Sequence, residues 1–421
     1  MAGAGRRCRA AGGRPPTARF RRCSVICASI GNPPASRGHI PNVLNPVPSR
    51  PISPVMRILI LNWRDLSHPA SGGAEVYTEQ VLRRWAAAGH QVTLFAAAVA
   101  GRPADEIRDG YRIVRAGSRF TVYREARRWW QRHGRGRFDV VVDETNTVPF
   151  QAHEWVDDGA RTIALVHQTC EEIWHINAPP LLAHLGRHRL EPNWLRRLGG
   201  SPILAVSEST REALARFGAH DVTVVPEGYE PPHPLPHPAK EDRPTAVFCG
   251  RMVNYKRPRD VIRAVLLARA AVPGLRLWML GGGPLLDRLA DEAPDGVEFF
   301  GRVSEQDKHD RMARAHVHLA ASVREGWGLV VTEAAALGTP TIAYDVPGLR
   351  DSTRAAHGIV VPPHPEAMAE RLADALPGWV RRAPEPLPYG GAHSWDEVAA
   401  ALLTAVEREA RCPRGPMRVA A

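Results

Sequence analysis

The chain has 421 residues, 44% of them hydrophobic and 24% charged, and a formal net charge of +11. This length and balance indicate a soluble globular protein with two domains, and no apolar run is long enough to span a bilayer. Residues 1–55 contain nine arginines and no lysine, aspartate or glutamate, so residues 56–421 carry a net charge of only +2. The composition therefore argues against a nucleic-acid-binding module, which would present its basic residues on a folded face.

Residues 1–55 form a segment of their own. They are rich in proline, glycine and alanine and lack hydrophobic periodicity, which predicts a disordered extension. Their composition resembles an organelle transit peptide, but Met56 leads directly into the strand-like RILILNW, and we favour the interpretation that they precede the native start. The three cysteines outside this segment (Cys170, Cys249 and Cys412) have neither metal-ligand spacing nor the density of a disulfide framework. We therefore expect no metal site and a cytoplasmic location.

From Met56 the chain alternates short apolar strands with amphipathic helices. The strand RILILN is followed by the helical AEVYTEQVLRRWAAAG, and further strands are predicted at QVTLFAA, DVVVDE, RTIALVH and PILAVS. This βαβ pattern predicts a parallel sheet with helices on both faces, in a Rossmann-like domain over residues 56–228. The segment YEPPHPLPHPAKEDRP (229–244) interrupts the pattern, and its prolines and charges predict a linker.

The alternation resumes after the linker. Strands are predicted at TAVFCG, LRLWMLGGG, VEFFG, HVHLAAS, TIAYDV and GIVVPP, which gives a second Rossmann-like domain over residues 245–394. HSWDEVAAALLTAVERE predicts a final helix at residues 395–410. The predicted fold class is α/β, with two doubly wound Rossmann-like domains that face a cleft. Ligands of such sheets bind at the carboxyl ends of the strands.

The stretch REGWGLVVTEAAALGTP follows the strand HVHLAAS. Gly326 and Gly328 let a ligand approach the backbone, and the free N–H groups at the helix start near Leu329 favour an anion. Glu325 in the loop and Glu333 one turn into the helix are spaced to hold two hydroxyl-rich parts of one anionic ligand. The alternative is a solvated Glu325 and a Glu333 that only interacts with the helix dipole.

Two further loops follow predicted strands. In CGRMVNYKRP, Arg251 offers a planar fork and Lys256 a mobile point charge, which suits a diphosphate, although both are alternatively surface cations. In SGGAE, Gly72 and Gly73 allow close approach of the backbone at a helix start, although a tight turn without a ligand needs the same residues. GGGP (281–284) lacks the spacing of a dinucleotide-binding fingerprint and is interpreted mainly as a turn.

The combination of these motifs is more specific than any one of them. REGWGLVVTEAAALGTPTIA, GRMVNYKRP, SGGAE and HSWDEVA together resemble the motif set of the large retaining glycosyltransferase family with the GT-B fold, over residues 56–410. The resemblance implies transfer of a sugar from a nucleotide-sugar, a UDP- or GDP-sugar, to a glycan, lipid-linked or small-molecule acceptor. It also implies retention of configuration and no obligatory metal or other cofactor. The first domain would bind the acceptor, the second the donor, and the final helix would cross back onto the first domain.

The resemblance assigns roles to side chains of the second domain. Glu325 would hold hydroxyls of the donor sugar, and Glu333 would hold the ribose. Arg251 and Lys256 would bind the diphosphate and carry the charge of the leaving group.

Further contacts are implied around this donor site. Gly73 would lie beside the transferred sugar and the acceptor. His167, which ends the strand RTIALVH, would lie near the donor sugar, although a lone histidine is often structural. Gly348 in DVPGLRDS would lend backbone N–H groups to the donor, and FFGRVS would contact the base through the backbone of Arg302 and Val303.

The acceptor side leaves alternatives open. VYREARRWWQRHGRGRFD (122–139) carries six arginines and two tryptophans. It is either a helix in peripheral contact with the inner face of a membrane or a solvated helix that buries one tryptophan, and we favour the second. HQTCEEIWHINAPP (167–180) is expected to be a loop that shapes the acceptor pocket.

The sequence favours two other enzyme classes less strongly. The same fold serves nucleotide-sugar 2-epimerases, although the paired glutamates favour a transferase. A dinucleotide-dependent oxidoreductase is disfavoured, because no complete G-x-G-x-x-G follows the first strand.

Overall fold

The computed structural model describes residues 54–233 and 238–411. The predicted disordered extension therefore lies outside the described residues except at its last two positions, as do residues 234–237 of the predicted linker. Within the described ranges no helix combines the length and the apolar character that a membrane crossing needs.

An eight-stranded sheet organises the first domain. In chain order its strands are β1 (Arg57–Leu61), β2 (Gln91–Ala96), β3 (Asp105–Arg108), β4 (Tyr111–Arg115), β5 (Val140–Thr145), β6 (Arg161–Val166), β7 (Ile203–Ala205) and β8 (Val222–Val224). Their order in space is β3-β4-β2-β1-β5-β6-β7-β8, and all neighbours are parallel except β3 and β4. The strand order reverses between β1 and β5, which makes this the switch point where ligands of such sheets bind.

Helices cover both faces of this sheet. They are α1 (Gly73–Ala87), α2 (Val122–Trp129), α3 (Ile173–Asn177), α4 (Pro180–Leu185), α5 (Glu191–Arg197) and α6 (Glu208–Ala215). Because side chains alternate along a strand, Ile58 and Ile60 of β1 pack with α1, whereas Leu59 and Leu61 pack with α2 on the other face. A π-helical turn (Trp130–Gly134) continues α2 and buries Trp130 completely, while the six arginines of residues 122–139 are exposed.

The segment 167–180 is only partly the loop that was expected. It contains α3, and its N-terminal part is ordered by the buried carboxylate of Glu191. This carboxylate accepts hydrogen bonds from the backbone N–H of Cys170 (2.5 Å) and Glu171 (2.9 Å) and from the indole N–H of Trp174 (2.9 Å). The prediction of a loop was wrong for residues 173–177 because this distant acid supplies the order.

The second domain is a six-stranded, all-parallel sheet. Its strands are β9 (Thr245–Cys249), β10 (Arg276–Leu280), β11 (Val297–Gly301), β12 (Val317–Ala320), β13 (Thr341–Tyr344) and β14 (Ile359–Val361), in the spatial order β11-β10-β9-β12-β13-β14. Its helices are α7 (Pro258–Ala268), α8 (Leu286–Asp291), α9 (Glu305–Arg314), α10 (Leu329–Ala336), α11 (Leu349–Ala355) and α12 (Pro365–Arg381). The switch point lies between β9 and β12. Two parallel-sheet α/β domains are thus present, as the sequence predicted.

The last helix, α13 (Trp395–Arg411), packs on the first domain although it follows the second in the chain. Val398, Leu402 and Val406 belong to the same buried cluster as Ile58 and Trp85. Where the chain leaves and re-enters the first domain, the N–H of Tyr229 donates to the carbonyl of His393 (2.8 Å), so the two crossing segments run side by side.

Candidate active site

The switch points of the two sheets face each other across the cleft between the domains. A Cβ on Gly326, in the loop after β12, would lie only 2.7 Å from the carbonyl oxygen of His167, which follows β6. A second contact between the domains is the hydrogen bond from the guanidinium of Arg302 to the carbonyl of Pro69 (3.4 Å). Only a glycine at 326 lets the two backbones come this close, which explains one of the two glycines in the REGWG turn.

Glu325 and Lys256 form an ion pair at the carboxyl ends of β12 and β9. The same Glu325 oxygen accepts a hydrogen bond from the hydroxyl of Ser322 (2.5 Å). Burial by itself lowers the pKa of Lys256, but the charge of Glu325, its hydrogen bond and the nearby Tyr255 together raise the pKa above the usual lysine value. The ammonium group is therefore held in its charged form at neutral pH.

Helix α10 begins shortly after Glu325, with Gly328 as its N-cap and Leu329 as its first residue. Gly348 has a φ of +79°, and a Cβ there would overlap the carbonyl of Glu325. The backbone of the DVPG turn thus lies directly against the loop that carries Glu325. On the other side of the cleft, a Cβ on Gly73 would lie 3.5 Å from the Leu329 side chain, so the starts of α1 and α10 face each other.

Gly72 does not offer a free amide to this space. As the N-cap of α1 it donates its N–H to Glu75 (2.6 Å). Of the two glycines in SGGAE, Gly73 is the one that is exposed in the cleft.

Arg251 and Lys256 both lie close to Tyr255, which was not predicted from the sequence. The guanidinium of Arg251 donates to the Tyr255 hydroxyl, and the Lys256 ammonium lies 5.9 Å from the centre of the same ring. The two cations predicted to bind one diphosphate are therefore brought together around the same aromatic residue.

Glu333 has a lysine partner of its own. The ammonium of Lys308, on α9, donates to Glu333 (3.1 Å) and also pairs with Glu305 (2.6 Å). Burial by itself lowers the pKa of Lys308, but Glu333 leads the neighbouring groups that raise it above the usual lysine value. Lys308 was missed because the charged helix EQDKHDRMAR looks like a solvated surface helix in the sequence.

A cavity of about 410 Å³ opens between the two domains beside these pairs. Its walls include Pro69 and Ala70 of the first domain and Arg251, Arg302, Val303 and Lys308 of the second. Residues 281–283, interpreted mainly as a turn, also line it. The predicted donor residues thus divide between two adjoining places, the Glu325–Lys256 pair in the cleft and this cavity.

His167 lies on the first-domain side of the cleft and is 2% exposed. Its Nε2 is 3.9 Å from Glu144, an electrostatic contact too long for a direct hydrogen bond, and its ring packs edge-on against Tyr77. Glu144 is held in turn by the amide of Asn62 (2.7 Å) and the hydroxyl of Thr78 (2.6 Å). Burial lowers the pKa of His167, but the carboxylates around it, Glu144 first, raise it overall.

Arg324 was also not predicted from the sequence to be a functional residue. This arginine is 4% exposed and crosses the cleft, where it donates to Thr169 (3.2 Å) and Glu172 (3.0 Å) of the first domain and lies 3.2 Å from Glu171. No group of three or more histidine, cysteine or acidic side chains within the described ranges is arranged to hold a metal ion.

Comparison with known proteins gives one consistent result. Residues 71–231 match Glycosyltransferase Family 4, and residues 233–383 match Glycosyl transferases group 1. The glycogen synthase of Mycobacterium tuberculosis is 25% identical over 333 residues, which cover 70% of this chain and 80% of that protein.

Solved structures agree in fold. Sucrose-phosphate synthase from Thermosynechococcus elongatus superposes with a TM-score of 0.67 at 20% identity, over 84% of this chain and 98% of that one. Anabaena HepE, in complex with UDP-glucose, gives a TM-score of 0.56 at 15% identity, over 84% of this chain and 98% of that one. The predicted GT-B fold is confirmed.

Proposed function

Because the chain belongs to the glycosyl transferases group 1 family and has the GT-B fold, we propose that it moves a sugar from a nucleotide-sugar to an acceptor hydroxyl with retention of configuration. The observation that carries the proposal is the presence of two acid–lysine pairs, Glu325–Lys256 and Glu333–Lys308, beside one interdomain cavity. Partly buried lysines that are kept charged by acids are suited to an anionic ligand with hydroxyl groups.

The donor would extend from the cavity into the cleft. The base and ribose would occupy the cavity, where the backbone of Arg302 and Val303 would contact the base and Glu333 the ribose. The diphosphate would then lie near Arg251 and Lys256, and the sugar hydroxyls near Glu325. Anabaena HepE, which shares the fold, is known in complex with UDP-glucose, and a UDP- or GDP-sugar is the donor that we propose here.

The chemistry follows from where the positive charges lie. As the bond from the anomeric carbon to the diphosphate breaks, its electron pair moves to the diphosphate oxygen. Lys256, Arg251 and the N–H groups at the start of α10 would stabilise that charge. These groups supply the electrostatic role that a metal ion fills elsewhere, so we propose a reaction without an obligatory metal. The acceptor hydroxyl would attack on the face that the diphosphate leaves, which retains the configuration.

The acceptor would bind to the first domain, with His167 and Gly73 nearest to the transferred sugar. We propose a glycan, a lipid-linked sugar or a small molecule with free hydroxyls. The exposed side chains of Leu181 and Leu185, together with the exposed arginines after β4, would suit peripheral contact with the inner face of a membrane.

Calorimetric titration of the full chain with UDP-, GDP- and ADP-sugars tests the donor site. We expect one nucleotide class to bind, and Lys256→Ala and Glu333→Gln each to weaken binding about tenfold or more, since each removes a charged contact. Arg263→Ala, on the exposed face of α7, is the matched control. Absence of binding by every donor, or equal binding by all the variants, would disprove the assignment.

Retention of configuration is tested by proton NMR, which identifies the anomer of the sugar that is first released from the bound donor. The same spectra would reveal a 2-epimerised sugar, which would identify the chain as an epimerase of the same fold instead.

A further inference from the structure

Glu227 is a buried acid at the centre of the cleft that the proposed function leaves unused. It follows β8 at the point where the chain leaves the first domain, and it is 4% exposed. Its Oε2 lies 3.8 Å from the position of a Cβ on Gly73, which is itself exposed to the cleft. The carboxylate therefore reaches the space between the starts of α1 and α10.

Each neighbouring acid has a hydrogen-bond or ion-pair partner, whereas Glu227, within the described part of the chain, is affected only by the longer-range charges of His167 and Lys256 and of other acids. Glu75 is paired with Arg64 (2.8 Å), Glu325 with Lys256, and Glu144 with Asn62 and Thr78. Within residues 54–233 and 238–411, no hydrogen bond or ion pair reaches the Glu227 carboxylate. The side chain is 4% exposed and has no protein hydrogen bond from the described residues, so its carboxylate oxygens are open to a hydroxyl group of a ligand in the cleft.

We infer that Glu227 is the proton acceptor for the attacking hydroxyl of the acceptor, an inference that rests on the proposed transfer reaction. The hydroxyl proton moves to a carboxylate oxygen of Glu227 as the hydroxyl oxygen bonds to the anomeric carbon. The bond from that carbon to the diphosphate breaks, and its electron pair leaves with the diphosphate. The proton then returns to solvent on the Gly73 side of the cleft, and Glu227 is ready for the next turnover.

The other titratable groups that face Glu227 are less suited to this task. They are Glu75 and Tyr77 of α1, His167 after β6, and Glu325 and Lys256 of the second domain. Glu325 already accepts from Lys256, and the carboxylates around His167 keep its imidazole protonated to higher pH than usual. Burial raises the pKa of Glu227 to about 7, which matches a base that works near neutral pH.

The test is the pH dependence of nucleotide release from the donor that titration identifies, with water as the acceptor. For the native chain we expect kcat/KM to rise with pH through about 7, as Glu227 loses its proton. Glu227→Gln should lower kcat by about 10²-fold or more, abolish this rise and leave donor affinity unchanged. Glu227→Asp keeps a carboxylate, so it should retain the rise at a reduced kcat. Glu230→Gln, on the same segment but exposed and paired with Arg84, is the control.

A second measurement does not depend on turnover. The folded state holds the Glu227 proton up to about pH 7, whereas the unfolded chain releases it near the ordinary value of 4.5. The folded protein therefore loses stability as pH rises between these values. Glu227→Gln should raise the urea midpoint relative to the native chain at about pH 8 and not at about pH 4.5, whereas Glu230→Gln should change it at neither.

The outcomes separate the inference from the function on which it rests. Turnover that is unaffected by Glu227→Gln, or lowered with the same pH profile, would overturn the role of Glu227 and leave the transferase standing. Donor binding with no release of nucleotide to water would also overturn it, since a base beside the anomeric carbon should activate water. If no donor binds, the proposed function itself fails, and the role of Glu227 fails with it.

Discussion

The chain contains only three lysines, and all three contact one helix or the residues that flank it. Among 55 basic residues only Lys240, Lys256 and Lys308 are lysines. Lys256 pairs with the loop that precedes α10, Lys308 with Glu333 within it, and Lys240 donates to the carbonyl of Gly338 (3.0 Å) just after it. All the remaining basic residues are arginines, so the compact charge of a lysine ammonium group occurs only around α10.

These three lysines should differ sharply in titration. Burial lowers the pKa of Lys240 to about 8, whereas nearby acids raise the pKa of Lys256 and Lys308. Carbon-13 methylation of the amines gives one NMR signal for each lysine and one for the N-terminus. As pH rises through about 8, we expect the Lys240 signal to shift and the other two lysine signals to stay constant.

Addition of the nucleotide-sugar should move the signals of Lys256 and Lys308 and leave that of Lys240 in place. Lys240→Arg serves as the control, since it removes the titrating signal alone. A Lys256 signal that titrates near pH 8 would contradict the strong pairing with Glu325.

At the scale of elements, α13 links the end of the chain to the site. Trp395 is 4% exposed and packs edge-on against Tyr77, whose ring packs in turn against His167. Trp395→Ala should therefore lower the free energy of unfolding by about 3–5 kcal/mol, because it leaves a large cavity in a close-packed cluster. Urea unfolding measures the loss.

Trp379→Ala is the matched control for this change. Trp379 lies on α12 and is only partly buried, so a smaller loss is expected. Equal losses in the two variants would show that α13 does not hold the first domain together.

Local patterns in the sequence predicted the elements better than the contacts between them. The apolar runs identified the strands, and glycine before an apolar helix identified the start of α10, because these signals lie within a few residues of one another. Lys308, Glu144 and Glu227 gave no such signal. Lys308 meets Glu333 from 25 residues away, and Glu144 meets Asn62 from 82 residues away. The role of a single charged residue in an ordinary strand, helix or loop becomes visible only after the chain has folded.

At the scale of the whole molecule, the contacts between the domains include two crossings of the chain, a close approach of the backbones and a buried arginine. The chain crosses twice, at Tyr229 and His393, and the backbones meet at Gly326. Arg324 adds a buried, charged contact to Glu172 and Thr169. Of these, only the arginine can be removed without disturbing the backbone, so it is the contact through which the closed arrangement of the cleft is best tested.

Arg324→Ala should favour opening of the cleft, because it removes the buried charge that ties the loop before α10 to the first domain. The donor residues lie mostly in the second domain, so donor affinity should fall by no more than about threefold, while kcat falls by about tenfold or more as the reacting groups lose alignment. Small-angle scattering should show a larger radius of gyration for the free variant. Arg216→Ala is the control. Arg216 is an exposed partner of Glu171 (2.6 Å) within the first domain, so its loss should change neither kcat nor the radius of gyration. If both variants turn over like the native chain, Arg324 does not control closure, and the Gly326 approach and the two crossings suffice to align the domains.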